Sequence, residues 1–418
     1  MSPDADAIAA CVFSTFEQLP QKRRPRPRSD GAREWVPLAG IVLVKDGQLA
    51  CVSLGTGMKC LPSSKLPLAN GNILHDWHAE VLALRSFNRF LLDECHLLST
   101  LPYPSSQYIR QRPPIERTET ELQPFTFRED VEIHMYCSEA PCGDASMELI
   151  MQAQDDATPW TSPLSVVTGT SDVDRTGQGE EPLAVLRGRS HFGHLGAVRC
   201  KPSRPDAPIT LSKSCTDKLA LTQATSVLSS LTSLLVSPRN AYLKSLVLPD
   251  SQLVPSACER AFSGSGRMSG VTQDIEKTWR GGYAWRGFEV RGTQREFAWS
   301  KRSVGVAEKA MASNISAVWT PSWQETLIGG VLQGRKQFDP RGASRICRRS
   351  LWKSVLEIVG LVGMPALVDA VRKANYGEVK GEALLDARKL VKEDMRREAL
   401  KGWVRNIGDD GFGIEQEG

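Results

Sequence analysis

The sequence predicts a mixed α/β domain whose C-terminal half is helical, and three stretches of its 418 residues carry this prediction. Residues 35–54 have the hydrophobic pattern of a strand hairpin and precede an amphipathic helix at 80–92. Residues 129–137 alternate as a strand and lead into a second helix, and from residue 344 to 403 the pattern is helical. Strands that feed helices in this way place helix N-termini at one edge of a sheet.

The composition is that of a globular protein, with 41% hydrophobic and 24% charged residues. The ten cysteines form no regular framework, and the longest uncharged apolar run, residues 358–368, is too short to span a bilayer. Residues 1–20 lack the basic start of a secretory signal. We therefore expect an intracellular protein, cytoplasmic and/or nuclear, with reduced thiols and no membrane partner.

A basic arm precedes the first strand of the domain. The net charge of +4 does not by itself indicate nucleic-acid binding, but the arm holds five cations within seven residues. Such runs are commonly solvated surface, and beside a catalytic domain they also bind phosphates. The arm consists of Lys22, Arg23, Arg24, Arg26 and Arg28.

The chain is expected to divide into three segments. Residues 1–34 hold a short helix at 8–19 and the basic arm, residues 35–407 form a single domain, and residues 408–418 form a frayed tail. Stretches rich in Pro, Ser, Gly and charge predict insertions in the domain near residues 100–125, 155–209 and 249–275.

Turn signals and periodicity indicate the order of elements within the domain. Asp46 and Gly47 predict a two-residue hairpin turn, and residues 55–61 predict a glycine loop ahead of the first domain helix. The remaining elements are expected as helices at 144–154 and from residue 212, a strand at 241–248, and short tryptophan-rich strands within 279–304 and 315–331.

His78 and Glu80 stand two residues apart at the head of the first domain helix. A neutral imidazole can hold a divalent metal while a neighbouring carboxylate moves protons. Pro141 and Cys142 follow the strand at 129–137 and open the next helix, whose N-terminus favours a thiolate. Together these residues match the His-x-Glu…Pro-Cys pattern of zinc-dependent nucleobase deaminases.

The usual second cysteine of that pattern is missing, because Ala145 stands three residues after Cys142. A catalytic zinc needs three protein ligands and one open position, so the third ligand must come from elsewhere. Cys215 is favoured because it opens a helix, and Cys200, in a proline-rich stretch, is the competing candidate. Cys137 lies within a strand and is expected in the core.

Three motifs together resemble the RNA adenosine deaminase (editase) family, and within it the eukaryotic tRNA-specific enzymes. They are Asp-Trp-His-Ala-Glu-Val at 76–81, Ser-Glu-Ala-Pro-Cys-Gly-Asp-Ala at 138–145 and Ser-Cys-Thr-Asp-Lys at 214–218. The resemblance extends from Trp35 to Trp403. It implies a cytidine-deaminase-like three-layer α/β core with large insertions, and conversion of adenosine to inosine immediately 3′ of the anticodon of tRNA-Ala.

The resemblance also implies roles for the motif residues. His78, Cys142 and Cys215 would hold one catalytic zinc. Glu80 would not be a ligand but would carry protons between the attacking water, the purine N1 and the departing ammonia. Asp76 would link the metal site to a second, buried cofactor.

That second cofactor is inositol hexakisphosphate, which the resemblance places in the helical half of the domain. Buried cations that would otherwise be costly can be satisfied by its phosphates. Three positions depart from the family pattern, since Leu84 and Leu221 replace basic residues and His75 replaces an asparagine. Without the resemblance, these cations would be read as solvated surface. The implied contacts are Arg85, Ser212, Lys218, Lys336, Arg345, Tyr376, Lys380, Lys389 and Trp403.

The expected partner is tRNA, contacted through its anticodon stem-loop by Lys59 and by the basic arm, and the protein is expected to be a monomer. Two other functions stay open at this point. The first is deamination of a different substrate, chiefly structured or double-stranded RNA. The second is non-catalytic RNA binding with a structural zinc, which Glu80 disfavours because a structural site has no use for a carboxylate beside the metal.

Overall fold

The computed structural model describes residues 3–26, 30–152, 165–166, 184–188, 190–202, 207–305 and 309–414. Within these ranges the helices are α1 Ala5–Glu17, α2 Ala79–Ser99, α3 Met147–Gln152, α4 Cys215–Thr225, α5 Thr232–Leu235, α6 Pro255–Phe262, α7 Gln273–Thr278, α8 Arg348–Val362, α9 Pro365–Val371, α10 Tyr376–Gly381 and α11 Asp386–Glu398. None of the described helices is long and apolar enough to cross a membrane.

The strands of the described chain are β1 Ala32–Trp35, β2 Leu38–Lys45, β3 Gln48–Thr56, β4 Met58–Cys60, β5 Asp76–His78, β6 Ile109–Gln111, β7 Phe125–Phe127, β8 Glu132–Cys137, β9 Ser165–Val166, β10 Ala184–Val185, β11 Leu243–Pro249, β12 Glu289–Thr293, β13 Lys309–Ala312, β14 Ser316–Thr320, β15 Trp323–Ile328 and β16 Val331–Leu332. Eight of them form one mixed sheet in the order β12-β11-β8-β2-β3-β14-β15-β16. The predicted α/β class is confirmed.

The hairpin of β2 and β3 is the predicted one. Its register pairs Lys45 with Gln48, which leaves only Asp46 and Gly47 in the turn. Both turn residues have positive φ, 50° and 75°, as a turn that matches the twist of the two strands requires.

Both faces of the sheet are covered, which gives the expected three layers. On one face, Met135 of β8 packs in a core cluster with Phe87 and Leu91 of α2. On the other face, Tyr136 of β8 packs with α1, and its ring meets Phe13 edge-on at 5.2 Å. Because β8 runs between two cores, its alternation separates two buried faces rather than a buried face from a solvated one.

Two predicted irregular stretches contain regular structure. Residues 58–60 of the expected glycine loop form β4, which pairs with β5 and sets Lys59 opposite Trp77. The connection after residue 249 contains α6, whose buried side chains include Phe262. Much of the expected insertion at 155–209 lies outside the described residues, but Arg199 and Lys201 within it are buried.

The expected frayed tail is wrong for the part that the structure describes, residues 408–414. Asp409 accepts a hydrogen bond from the backbone of Gly71 and lies 2.7 Å from His75 Nε2. Phe412 is 6% exposed and stacks on Tyr376 with ring centroids 5.1 Å apart. The glycine-rich composition concealed two side chains that complete the packing of the domain.

Phe412→Ala should lower the free energy of unfolding by about 3–5 kcal/mol, the usual cost of removing a buried aromatic side chain. Urea denaturation followed by circular dichroism measures it. Phe338→Ala is the matched control, because Phe338 is 45% exposed and its loss should change stability by less than about 0.5 kcal/mol. Equal effects of the two substitutions would contradict packing of the tail.

Candidate active site

His78 ends β5 and Glu80 lies in the first turn of α2, so the two side chains are fixed by one strand-to-helix junction. Asp76 holds this junction, since its Oδ1 accepts from the His78 backbone at 3.0 Å and lies 2.8 Å from His78 Nδ1. Glu80 is buried, and burial followed by the nearby Cys142 thiolate raises the pKa of its carboxyl group. A buried carboxyl with a raised pKa is suited to accepting and returning a proton.

Cys142 and Cys215 lie side by side. The backbone N–H of Cys215 points to Cys142 Sγ at 3.4 Å, and Thr216 Oγ1 donates to the carbonyl of Pro141 at 2.8 Å. The start of α4 is thereby attached to the turn that carries Cys142. The hydrogen bond from the Cys215 thiol, helped by the charges of Lys201 and His78, lowers the pKa of Cys142 well below its usual value.

The other two cysteines considered from the sequence lie elsewhere. Cys200 packs in a small cluster with Val404 and Leu211, and burial raises the pKa of its thiol. Cys137 lies in the main core beneath the sheet, as expected. Among these cysteines, Cys215 is the one that the fold places against Cys142.

Asp76 is the polar centre of the site. Its Oδ2 accepts from Lys201 Nζ at 2.7 Å, from Ser212 Oγ at 2.8 Å and from Lys218 Nζ. Burial alone would raise the pKa of Asp76, but the two ammonium groups hold it well below its usual value. Lys201 Nζ also donates to Cys215 Sγ at 3.1 Å, so one buried lysine joins the carboxylate to the thiol.

Lys201 was missed from the sequence. It lies in a stretch that reads as an insertion, and its carboxylate partner is 125 positions away, so no local pattern marks it. Cys60 was also missed. It faces the same junction from β4, with Sγ 4.0 Å from His78 Nδ1.

Cys60, Asp76 and His78 form a group of possible metal ligands whose ligand atoms lie within 4.8 Å of one another. Asp76 is a poor ligand in this group, because its oxygens already neutralise two lysines and accept from the His78 backbone. Its contact with His78 Nδ1 instead resembles the carboxylate that orients a metal-binding histidine, and it leaves Nε2 as the other ring nitrogen.

A cavity of about 250 Å³ lies on the far side of Asp76. Several predicted polyphosphate contacts line it, and Arg348, which was not predicted, lines it too. Burial and the neighbouring Arg348 lower the pKa of the Arg85 guanidinium. The lining consists of Ile73, Leu74, His75, Asp76, Val81, Arg85, Leu211, Ser212, Lys213, Lys218, Arg348, Trp403, Val404 and Asn406.

Cations crowd around this cavity. The Tyr376 ring lies under Arg348 at 5.7 Å and under Lys380 at 6.0 Å. Lys380 as a whole is exposed. Burial of its ammonium group by the surrounding protein and the charge of Arg348 nevertheless lower its pKa to about 8. Lys392, also missed from the sequence, has its pKa lowered by burial and by neighbouring cations that include Arg388 and Lys380. No carboxylate pairs with Lys380 or Lys392 in the part of the chain that the structure describes.

Five predicted polyphosphate contacts lie outside the cavity lining. Two of them, Tyr376 and Lys380, are next to Arg348 of the lining or to each other, and the other three are farther away. Lys336 and Arg345 are exposed. Lys389 donates to the carbonyl of Gly381 at 2.8 Å and pairs with Asp386 in the first turn of its own helix.

Of the predicted RNA contacts, Lys59 lies at the same junction, opposite Trp77. Lys59, on β4, donates to the Asn314 side chain. Lys22 and Arg26 are exposed, and Arg23 and Arg24 are half-buried, whereas Arg28 lies outside the described residues.

A histidine and a glutamate at the start of α2, beside one cysteine in the turn after β8 and another at the start of α4, define the zinc-dependent deaminase class of sites. The model of the adenosine-deaminase (editase) domain matches residues 53–407. The chain therefore belongs to the adenosine-deaminase (editase) family.

Individual relatives agree with this assignment. The chain is 34% identical over 416 residues to tRNA-specific adenosine deaminase 1 of Schizosaccharomyces pombe, covering 96% of this chain and 95% of the relative. It is 36% identical over 255 residues to tRNA-specific adenosine deaminase 1 of Saccharomyces cerevisiae, covering 59% and 58%. The chain is 24% identical over 428 residues to the double-stranded RNA-specific editase Adar of Drosophila melanogaster, covering 99% of this chain and 55% of that protein.

Proposed function

We propose that this protein converts adenosine to inosine in tRNA by hydrolytic deamination, and that its target is the adenosine immediately 3′ of the anticodon of tRNA-Ala. The observation that carries the proposal is the buried Glu80 beside His78 and the paired Cys142 and Cys215, in a chain of the editase family. The name and near-complete coverage of the Schizosaccharomyces pombe relative support tRNA as the substrate. Such a substrate implies action in the cytoplasm and/or nucleus.

The chemistry of His78, Cys142 and Cys215 suits one zinc ion, although in the described residues the group of possible ligand atoms within 4.8 Å of one another pairs His78 with Cys60 and Asp76. Two cysteine sulfurs, one of them with a lowered pKa, and one imidazole nitrogen are ligands that zinc prefers, and three of them leave a position open. We assign His78, Cys142 and Cys215 as the three zinc ligands. Zinc held there supplies a Lewis acid that makes a water nucleophilic near neutral pH.

Glu80 performs the proton transfers. Its raised pKa lets the carboxylate accept the proton of the attacking water and give it to N1 of the purine. The carboxylate then takes the proton of the hydroxyl group added at C6 and gives it to the amino group, which leaves as ammonia as the C6–N bond breaks. A closed, structural metal site has no need of such a buried carboxyl group, so the geometry favours catalysis over RNA binding alone.

An anticodon loop presents its bases largely unpaired, so moving one into a closed site costs less than it does from a duplex. Structured or double-stranded RNA stays the alternative substrate, supported by the similarity to the Drosophila editase. Incubation of the protein with total tRNA and with a double-stranded RNA, followed by sequencing of inosines, separates the two.

Glu80→Ala should reduce inosine formation by at least about 10²–10⁴-fold, because the proton carrier is removed while the metal ligands stay in place. Inosine is measured in tRNA-Ala by sequencing, and zinc by atomic absorption. Zinc content should stay near that of the wild type. Retained deamination in this variant would refute the assignment of Glu80.

Cys215→Ala should lower zinc content to well below one per chain, since it removes a ligand, whereas Cys200→Ala should leave zinc content unchanged. The two substitutions remove the same buried atom from positions close in sequence, so each controls for the other. The reverse result would transfer the ligand role to Cys200.

We further propose that the cavity beyond Asp76 holds inositol hexakisphosphate. The crowding of cations supports an anionic occupant, because desolvated like charges destabilise a fold unless they are neutralised. Arg85 lines the cavity beside Arg348, and outside the lining the pKa of Lys380 and of Lys392 is lowered by burial and neighbouring cations. Lys218 and Ser212 would connect that occupant to Asp76.

Mass spectrometry of the purified, denatured protein should detect inositol hexakisphosphate at about one per chain. Lys392→Met should lower that amount, because it removes a desolvated cation from the group that includes Lys380 and Arg396, whose guanidinium lies over Trp403 of the cavity lining, while Lys336→Met should leave it unchanged. Absence of the compound from the wild-type protein would overturn this part of the proposal.

A further inference from the structure

An exposed basic patch lies beside the active-site junction, and neither the metal site nor the cavity uses it. It consists of Lys65, Arg335, Lys336 and Phe338, all of them exposed, and Phe338 is 45% exposed. Lys65 Nζ donates to Gln337 Oε1 at 3.3 Å and stands 6.0 Å from the centre of the Phe338 ring. Lys65 therefore connects its own segment to the loop at 333–338, and the four residues share one surface.

The patch keeps its positive charge. The nearest carboxylate in sequence, Asp339, already pairs with Arg341. Arg341 Nη2 donates to Asp339 Oδ2 at 2.9 Å, and Arg341 Nε donates to Asp339 Oδ1 at 3.1 Å. In the described ranges no ion pair neutralises Lys65, Arg335 or Lys336. Three exposed cations therefore face solvent, and one of them, Lys65, lies over the exposed ring of Phe338.

The patch and the active site are attached to the same part of the chain around β4 and β5. Lys59 pairs across the strands with Trp77, the residue before His78, and Lys65 follows Lys59 by six residues. Six residues of extended chain span at most about 20 Å, which bounds the separation of the two lysines. The loop that carries Lys336 and Phe338 is attached to the same junction. Gln337 Nε2 donates to the Gly329 carbonyl at 2.8 Å, and the carbonyl of Gly330, which follows Gly329, accepts from Leu74 N at 3.0 Å.

We propose that Lys65, Arg335, Lys336 and Phe338 bind the substrate RNA beside the target adenosine, with the cations on phosphates and the phenyl ring against an unpaired base. This inference rests on the proposed function. Cations interleaved with an exposed aromatic are the usual platform for single-stranded nucleic acid. At about 3.4 Å per nucleotide, 20 Å corresponds to roughly six nucleotides from Lys59, so the patch would reach the anticodon loop and the start of its stem.

RNA is favoured over an acidic protein partner because the patch continues the surface that carries Lys59. On the far side of Lys59, Asn314 accepts its hydrogen bond, and the neighbouring Ser313 contacts Glu34 of β1, which follows the basic arm. The exposed cations thus extend in both directions from the junction that holds His78 and Glu80.

The test compares Lys65→Ala/Lys336→Ala with the control Lys277→Ala/Lys353→Ala, which removes two exposed lysines from other helices. The probe is the anticodon stem-loop RNA of tRNA-Ala. The patch variant should raise KM several-fold, leave kcat at saturating RNA unchanged, and make the slope of log affinity against log salt shallower by about one per lysine. The control should match the wild type in all three.

Phe338→Ala should weaken RNA binding by about 5-fold or more, the loss expected for one base–aromatic stack, and Phe338→Tyr should restore it. The restored affinity distinguishes stacking from a general loss of structure.

The outcomes are separable. If the wild-type protein forms no inosine in tRNA, the proposed function fails. If the wild type is active but the patch variant shows the KM and salt slope of the control, the RNA surface is overturned while the function stands. A patch that binds an acidic protein instead gives that same second result.

Discussion

The structure depends on one buried carboxylate, that of Asp76. It orients His78 through Nδ1, accepts from Lys201 and Lys218, and through Lys201 reaches the thiol of Cys215. Removal of one partner from a buried ion pair typically costs about 3–5 kcal/mol, because it leaves a charge uncompensated. Asp76 is therefore an electrostatic connection, and neither the metal site nor the cavity beyond it can change its charge without affecting the other.

The same connection explains why the helical C-terminal half belongs to the catalytic domain. Arg348 of α8 lines the cavity, donates to the Asp409 carbonyl at 2.6 Å and lies over Tyr376 of α10. Asp409 in turn contacts His75, the residue before Asp76. The tail, the last helices and the metal junction thus form one continuous polar network around the cavity.

The sequence predicted what depends on local chemistry. Asp46 and Gly47 specify their turn, and Ser214 and Cys215 mark the start of α4, where the Ser214 side chain accepts from Asp217 N. Contacts between distant segments could not be predicted. Lys201 and Cys60 meet His78 only through the fold, and the glycine-rich tail gave no sign that Phe412 would be buried. For the cavity, the sequence indicated that cations would gather in the helical half, but it could not separate a cation of the lining such as Arg85 from Lys336 and Arg345 on the surface.

The difference between cations of the cavity and cations on the surface has a physical reason. Cations of the cavity lining such as Arg85 and Lys213 are desolvated and lie near other cations, so they favour a counterion that stays bound. The proposed occupant with many phosphates would satisfy several of them at once. Exposed lysines keep their hydration, bind phosphates weakly and release them as salt rises, which suits a substrate that must leave after each turnover. A fold that handles phosphates in both ways must keep the two sets of cations apart. Under the two proposals, the cavity beside Asp76 would be the permanent site and the exposed patch around Lys65 the exchangeable one.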